Sequence, residues 1–193
     1  ETVSGVIAAL TVPVAAPGRG KILYAVQVPE QGGTTGFIDL AVAYDNLPEK
    51  LRNRIEHLHV IHNWDKAHVP ETSRPDGEVA LIYRKFPDVI YPMVRTHPVS
   101  GAKLLNCPPL WVTGIQEIPG EEGAALIAEV VAHLTQPKFQ YWHSYRMGDA
   151  LLWDNWRFIH AASGTLNRYA RTMWTMTLSA GPDLGRVVED QAT

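Results

Sequence analysis

Cysteine is nearly missing from this chain: Cys107 stands alone among 193 residues, so no internal disulfide can form. That excludes a small scaffold held by disulfides, and it sets the expectation of a reducing compartment, the cytoplasm. An excess of charge of one sign is missing too. Seventeen Lys and Arg stand against 20 Asp and Glu, a net charge of −3, with no run of like charges. The chain therefore lacks the electrostatic footprint that phosphate backbones or anionic lipid surfaces require. Long apolar runs are absent as well. The most apolar stretch, Val3 to Ala16, is interrupted by Ser4, Gly5, Thr11 and Pro13, and no basic stretch precedes it. It is too short to span a bilayer and does not read as a convincing signal peptide. By elimination the expected partner is a small molecule, with no nucleic acid and no membrane; a homo-oligomer stays open.

What is present suits one globular core. Apolar residues make up 46% of the chain, and 14 Pro and 15 Gly are scattered through it rather than clustered. That spacing cuts the sequence into the short segments typical of β domains. Lys21 to Val28 is rich in β-formers and stops at Pro29, which predicts a strand. Asp39 is a candidate N-cap for two short helices, in which Leu47, Leu51 and Ile55 recur every four residues. Leu58 to His62, Val89 to Thr96 and Lys103 to Cys107 read as strands. Asp65 to Asp88 reads as a polar loop around a short apolar run, Val79 to Tyr83, and is the candidate lid.

Gly120 to Gln136 is the clearest helix, because Leu126, Ile127, Val130, Val131 and Leu134 form one stripe and Pro137 closes it. Four further strands follow: Phe139 to Tyr145, Ala150 to Asp154, Phe158 to Ala161, and Arg171 to Ser179. The expected fold is mainly β, a double-stranded β-helix or jelly roll with a few covering helices, as a single domain over residues 1–193.

The segment with most chemical content runs from Gly148 to Arg171. His160 ends a strand-like stretch, and Arg171 opens the last strand eleven residues further on. A neutral imidazole suits a borderline metal such as Fe(II), and a guanidinium on an adjacent strand suits a carboxylate held in bidentate fashion. On spacing alone, local hydrogen bonding is the preferred reading of such a His and Arg.

The run Gly148-Asp149, Trp153-Asp154-Asn155 and His160 closely resembles the C-terminal signature of the taurine dioxygenase and 2,4-dichlorophenoxyacetate dioxygenase family of Fe(II)/2-oxoglutarate oxygenases. Two more blocks are similar to that family, in the same order. One is Pro29-Glu30-Gln31-Gly32-Gly33-Thr34-Thr35-Gly36-Phe37-Ile38-Asp39; the other is Val94-Arg95-Thr96-His97-Pro98 with Gly101, Lys103, Leu105 and Asn106.

The resemblance implies that His160 is the distal iron ligand, that Arg171 pairs with the remote carboxylate of 2-oxoglutarate, and that the Thr35 hydroxyl bonds the same carboxylate. A turn or capping hydroxyl is the other reading of Thr35. Trp153, Asp154 and Asn155 are expected as framework for the turn that holds His160. The implied activity is oxidation, foremost hydroxylation, of a small organic substrate by dioxygen, with Fe(II) as cofactor, 2-oxoglutarate as co-substrate, and succinate and CO2 as co-products. The alternative is a jelly-roll module that binds 2-oxoglutarate or a related diacid without catalysis.

Several positions depart from the family pattern. Where a second Arg often follows the clamp Arg by four positions, this chain has Thr175, beside Trp174, which argues against a sulfonate substrate. Trp156 stands where Arg is frequent and hints at a more aromatic pocket; Arg157 is a weaker candidate for touching substrate. Most consequential, no His-x-Asp or His-x-Glu occurs anywhere in the chain, and the register places that pair at Ala8 to Leu10. The leading expectation is that sequence is missing near residues 6–11, between Val6 and Thr11. A pseudoenzyme without iron and a substitute ligand from a loop are the other two explanations. His57, His59, His62 and His68 test the substitute, and they are expected to be structural or surface histidines. Cys107 has no neighbouring His or Asp pattern that would suggest a nucleophile.

Overall fold

The computed structural model describes residues 18–63, 88–166, 168–178 and 185–187. The expected seam at residues 6–11, His68 and nearly all of the candidate lid lie outside the described residues.

Strand β1 (Gly20–Gln27) lies between β11 (Thr172–Thr177) and β9 (Ala150–Asp154), antiparallel to both. A second sheet places β2 (Thr35–Asp39) between β10 (Phe158–Ala162) and β8 (Gln140–His143), again antiparallel. The two sheets face each other, with Phe37 of β2 edge-on to Trp153 of β9 at 5.2 Å between ring centres. This is the jelly roll that the sequence implies. A smaller sheet orders β12 (Arg186–Val187), β4 (Val89–Pro92), β3 (His59–His62) and β7 (Val112–Ile115), and β5 (Val94–Thr96) pairs with β6 (Lys103–Leu105).

Alternation along the strands decides which residues go to which face. On the second sheet Ile38, Ile159 and Ala161 point away from the first sheet, into a core shared with three helices: α1 (Leu40–Asp45), α2 (Glu49–Ile55) and α3 (Glu121–Leu134). Leu126, Val130 and Leu134 of α3 are buried there, as its apolar stripe predicts. Asp39 caps α1 as expected, its Oδ1 accepting from the N–H groups of Ala41 at 2.9 Å and Val42 at 3.3 Å. The outer face of the first sheet is apolar and open: Leu152 and Trp174 are each 66% exposed, and Tyr24 and Met176 lie beside them. No helix among the described residues is long and apolar enough to cross a membrane.

Three local features differ from the sequence reading. Val89 to Thr96 is two strands rather than one, because Pro92 has no N–H to continue the ladder and Met93 changes partners. Its N–H donates to Leu58 O and its carbonyl accepts from Asn106 N, both at 2.8 Å. Strand β7 was not read in advance: Val112, Thr113 and Ile115 favour a strand, but the run is only four residues long and Gly114 interrupts it. His133, outside the apolar stripe of Leu126, Ile127, Val130, Val131 and Leu134, is nonetheless buried, and its Nε2 is 2.8 Å from Ala43 O, where it joins α3 to α1.

Candidate functional site

The inner wall of the second sheet carries the residues of interest. In the antiparallel register His160 lies opposite Phe37, while Thr35 lies opposite Ala162 on one side and His143 on the other. Residues two apart on a strand share a face, so Thr35, Phe37, His160 and His143 line one surface. The facing wall presents Lys21 and Leu23 of β1, Leu151 and Trp153 of β9, and Thr175 and Thr177 of β11, by the same alternation. His160 and Thr35 are therefore separated by one two-residue step across the strand pair, roughly 7 Å along the strand direction.

His160 is 3% exposed and wedged against two aromatic rings, Trp153 at 4.9 Å and Phe37 at 6.3 Å. Burial, and secondarily the nearby Lys21 charge, push its pKa down to about 4. The ring is thus neutral at physiological pH, the form that binds metals. Its Nδ1 is buried with no hydrogen-bond partner, which is costly unless the site serves another purpose. His160 thus fits as one ligand of a metal. The described residues do not complete such a site: no group of three His, Cys, Asp or Glu among them converges to hold an ion. The described histidines of the cluster supply none. His59 Nδ1 pairs with Glu117 Oε1 at 2.6 Å, and His62 is buried against Tyr91 at 4.7 Å. Both are structural, as expected.

Arg171 and Thr35 both approach Tyr145 at one end of the wall. Gly32 and Gly33 both take positive φ (76° and 67°), which turns the loop before β2. A Cβ on Gly33 would lie 2.7 Å from Pro29 Cγ and 3.1 Å from Cδ and Nε of Arg171. Glycine at 33 therefore lets the arginine lie along the backbone, where its Nε donates to Gly33 O at 3.3 Å. No carboxylate among the described residues pairs with Arg171. Thr35 is 3% exposed and accepts a hydrogen bond at Oγ1 from the Tyr145 phenol at 2.9 Å. Arg171 Cζ lies 5.9 Å from the centre of the Tyr145 ring. An unpaired guanidinium beside a buried hydroxyl is a site for an anionic oxygen. Tyr145 escaped the sequence reading, although the period-two alternation from His143 places it on the same face.

The turn before His160 is held as the framework reading expects. Asp154 Oδ1 accepts from the N–H groups of Trp156 at 2.9 Å and Arg157 at 3.3 Å, and its Oδ2 lies 2.9 Å from His97 Nε2. Asn155 donates through Nδ2 to Gly18 O at 3.2 Å. Two side chains considered for the pocket are engaged elsewhere. Arg157 clasps Asp39 with bonds of 3.0, 3.0 and 2.7 Å, and Trp156 is 3% exposed in packing against His97. Trp174 points outward, so Thr175 is the residue of that pair on the inner face. His143, on the same face, has Asp149 Oδ2 at 3.5 Å from its Nε2.

A cavity of about 470 Å³ opens at the Asp39 end of the space between the sheets, lined in part by Phe37, Phe139, Tyr141, Trp153 and Phe158. It is strongly aromatic, and Phe37 and Trp153 separate it from His160.

Comparison with known proteins gives one consistent result. The family described as "Taurine catabolism dioxygenase TauD, TfdA family" matches residues 14–177. An alpha-ketoglutarate-dependent 2,4-dichlorophenoxyacetate dioxygenase of Burkholderia sp. (strain RASC) is 37% identical over 143 residues, 74% of this chain and 47% of that protein. The (S)-phenoxypropionate/alpha-ketoglutarate-dioxygenase of Sphingobium herbicidovorans is 34% identical over 171 residues, 85% of this chain and 58% of its own length. Among solved structures, AAD-2 in complex with Mn(II) and N-oxalylglycine superposes with a TM-score of 0.78 at 28% identity, covering 94% of this chain and 71% of that one. A taurine dioxygenase from Burkholderia xenovorans gives 0.77 at 25% identity, covering 98% and 65%. The chain spans about half the length of the curated relatives it matches.

Proposed function

This chain belongs to the TauD, TfdA family of taurine catabolism dioxygenases, and on that footing we propose that the protein is an Fe(II)/2-oxoglutarate-dependent dioxygenase that oxidises, foremost by hydroxylation, a small organic substrate. Balanced as a hydroxylation, substrate, dioxygen and 2-oxoglutarate give hydroxylated substrate, succinate and CO2. Iron, when bound, supplies the activation of dioxygen. The work of this chain's own residues is placement.

Arg171 and Thr35 hold the carboxylate of 2-oxoglutarate farthest from the keto group. The observation that carries the reading is the unpaired Arg171 guanidinium beside buried Thr35, on the same wall as a neutral, unpartnered His160. The single two-residue step between Thr35 and His160 is of the order of the length of an extended five-carbon diacid. His160 then stands at the keto end as one metal ligand; the other ligands are not among the described residues. Thr175 on the inner face offers no cation for a sulfonate, and the Phe37 and Trp153 rings packed against His160 suit a substrate with less charge.

Anaerobic titration of the protein with Fe(II) and 2-oxoglutarate tests the reading. A weak visible charge-transfer band, together with succinate formation once oxygen is admitted, is the expected result. Binding of 2-oxoglutarate with no band and no succinate would instead identify a non-catalytic diacid-binding module. The relatives' names favour the dioxygenase.

A further inference from the structure

The hydrogen bond from Tyr145 to Thr35 has a chemical direction. A threonine hydroxyl carries one proton and two lone pairs. Tyr145 donates to Oγ1 of Thr35 at 2.9 Å and so occupies a lone pair. The one proton of Thr35 is left for a different acceptor. Thr35 is buried, and the strongest cation nearby is Arg171, whose guanidinium lies over the Tyr145 ring. A proton directed beside a guanidinium meets an anionic oxygen bound there; without the phenol, the hydroxyl is free to rotate away. The ring itself is fixed from a second side, edge-on to His143 at 4.7 Å. Burial pushes the phenol pKa up, against the Thr35 bond and the Arg171 charge, which keeps the group a donor.

We propose that Tyr145 is a positioning residue for the far carboxylate of the diacid: its phenol turns the Thr35 proton toward that carboxylate and its ring supports the Arg171 guanidinium. This rests on the clamp assigned to Arg171 and Thr35 above. Tyr145 does not itself touch the ligand in this scheme; it acts through Thr35.

Calorimetric titration of 2-oxoglutarate into wild type, Tyr145→Phe, Thr35→Val, Thr35→Ser, Arg171→Ala and the two Tyr145→Phe/Thr35 double variants tests it, with melting curves confirming that each is folded. Tyr145→Phe keeps the ring and is expected to weaken binding roughly 5- to 20-fold, the effect of one oriented bond to a charged group. The loss should persist in the Thr35→Ser background, where the hydroxyl remains, and vanish in the Thr35→Val background, where there is no proton to direct. Wild-type affinity in Tyr145→Phe, or an equal loss in the Thr35→Val background, overturns the positioning role while leaving the clamp intact. Should Arg171→Ala and Thr35→Val also bind like wild type, or wild type take up no 2-oxoglutarate, the clamp itself falls and Tyr145 with it. If Tyr145→Phe alone does not fold, comparing Thr35→Ser with Thr35→Val decides: equal affinity in the two overturns the proposal.

Discussion

His97 Nε2 donates to Asp154 Oδ2 across 2.9 Å, and that bond joins the segment after β5 to the turn that leads from β9 into β10, the strand of His160. The tautomer follows from the other ring nitrogen, since Nδ1 accepts from the N–H groups of Ser100 at 3.0 Å and Val99 at 3.3 Å, which leaves the proton on Nε2. Asp154 therefore serves two masters, the histidine through one oxygen and the β9–β10 turn through the other.

Asp154→Ala removes both connections and is expected to cost about 2–4 kcal/mol in urea unfolding, because a mostly buried imidazole N–H and two turn N–H groups lose their acceptor. Asp154→Asn keeps an oxygen for the turn but offers no second one to His97, so it should recover only part of that loss.

Gly33 links the loop to the clamp. Gly33→Ala introduces a Cβ at positive φ that meets Pro29 and the Arg171 stem. A stability loss of about 1–3 kcal/mol together with weaker 2-oxoglutarate binding is expected. Gly101→Ala is the control: its φ is 72°, yet nothing lies within 4 Å of its Cβ position. It should lower the melting temperature through backbone strain alone and leave binding unchanged.

Much of this architecture is legible in the sequence, for identifiable reasons. Strand β1, the Asp39 cap and α3 follow from local rules: β-formers ending at Pro29, an acidic cap, and an apolar stripe. The alternation of β8 and β10 set which of their side chains share the inner wall, whereas β2 was carried only by the family-like Gly32-Gly33-Thr34-Thr35 block and was not read as a strand. Features that depend on distant partners were not legible. Arg157 clasps Asp39 from 118 positions away, His133 reaches the carbonyl of Ala43 in another helix, and the partner switch at Met93 requires β3 and β6 to be in place. Tyr145 is an intermediate case, since its face was readable and its bond to Thr35 was not.

Stability should fall as the pH drops. Burial pushes His62 down to about 3 and His160 down to about 4, both below the ordinary histidine value of 6.5. Between pH 6.5 and 4 the unfolded chain therefore binds protons that the folded chain excludes, and stability rises with pH across that window. A loss of several kcal/mol between pH 7 and pH 4 is expected, on the order of 1.4 kcal/mol per unit of displacement for each histidine. His62→Leu and His160→Leu should each flatten the slope of unfolding free energy against pH.

Cys107 should be inert while the protein is folded. It is buried, and burial pushes its thiol up to about 12. Iodoacetamide at pH 8 is expected to leave the native protein unlabelled and to alkylate Cys107 only in denaturant.

The most direct measurement is a crystal structure of the protein with 2-oxoglutarate. The account predicts density for the carboxylate farthest from the keto group between the Arg171 guanidinium and Thr35 Oγ1, with the keto acid end directed along the inner wall toward His160. Density for the diacid in the aromatic cavity at the Asp39 end, with Arg171 left empty-handed, would contradict it.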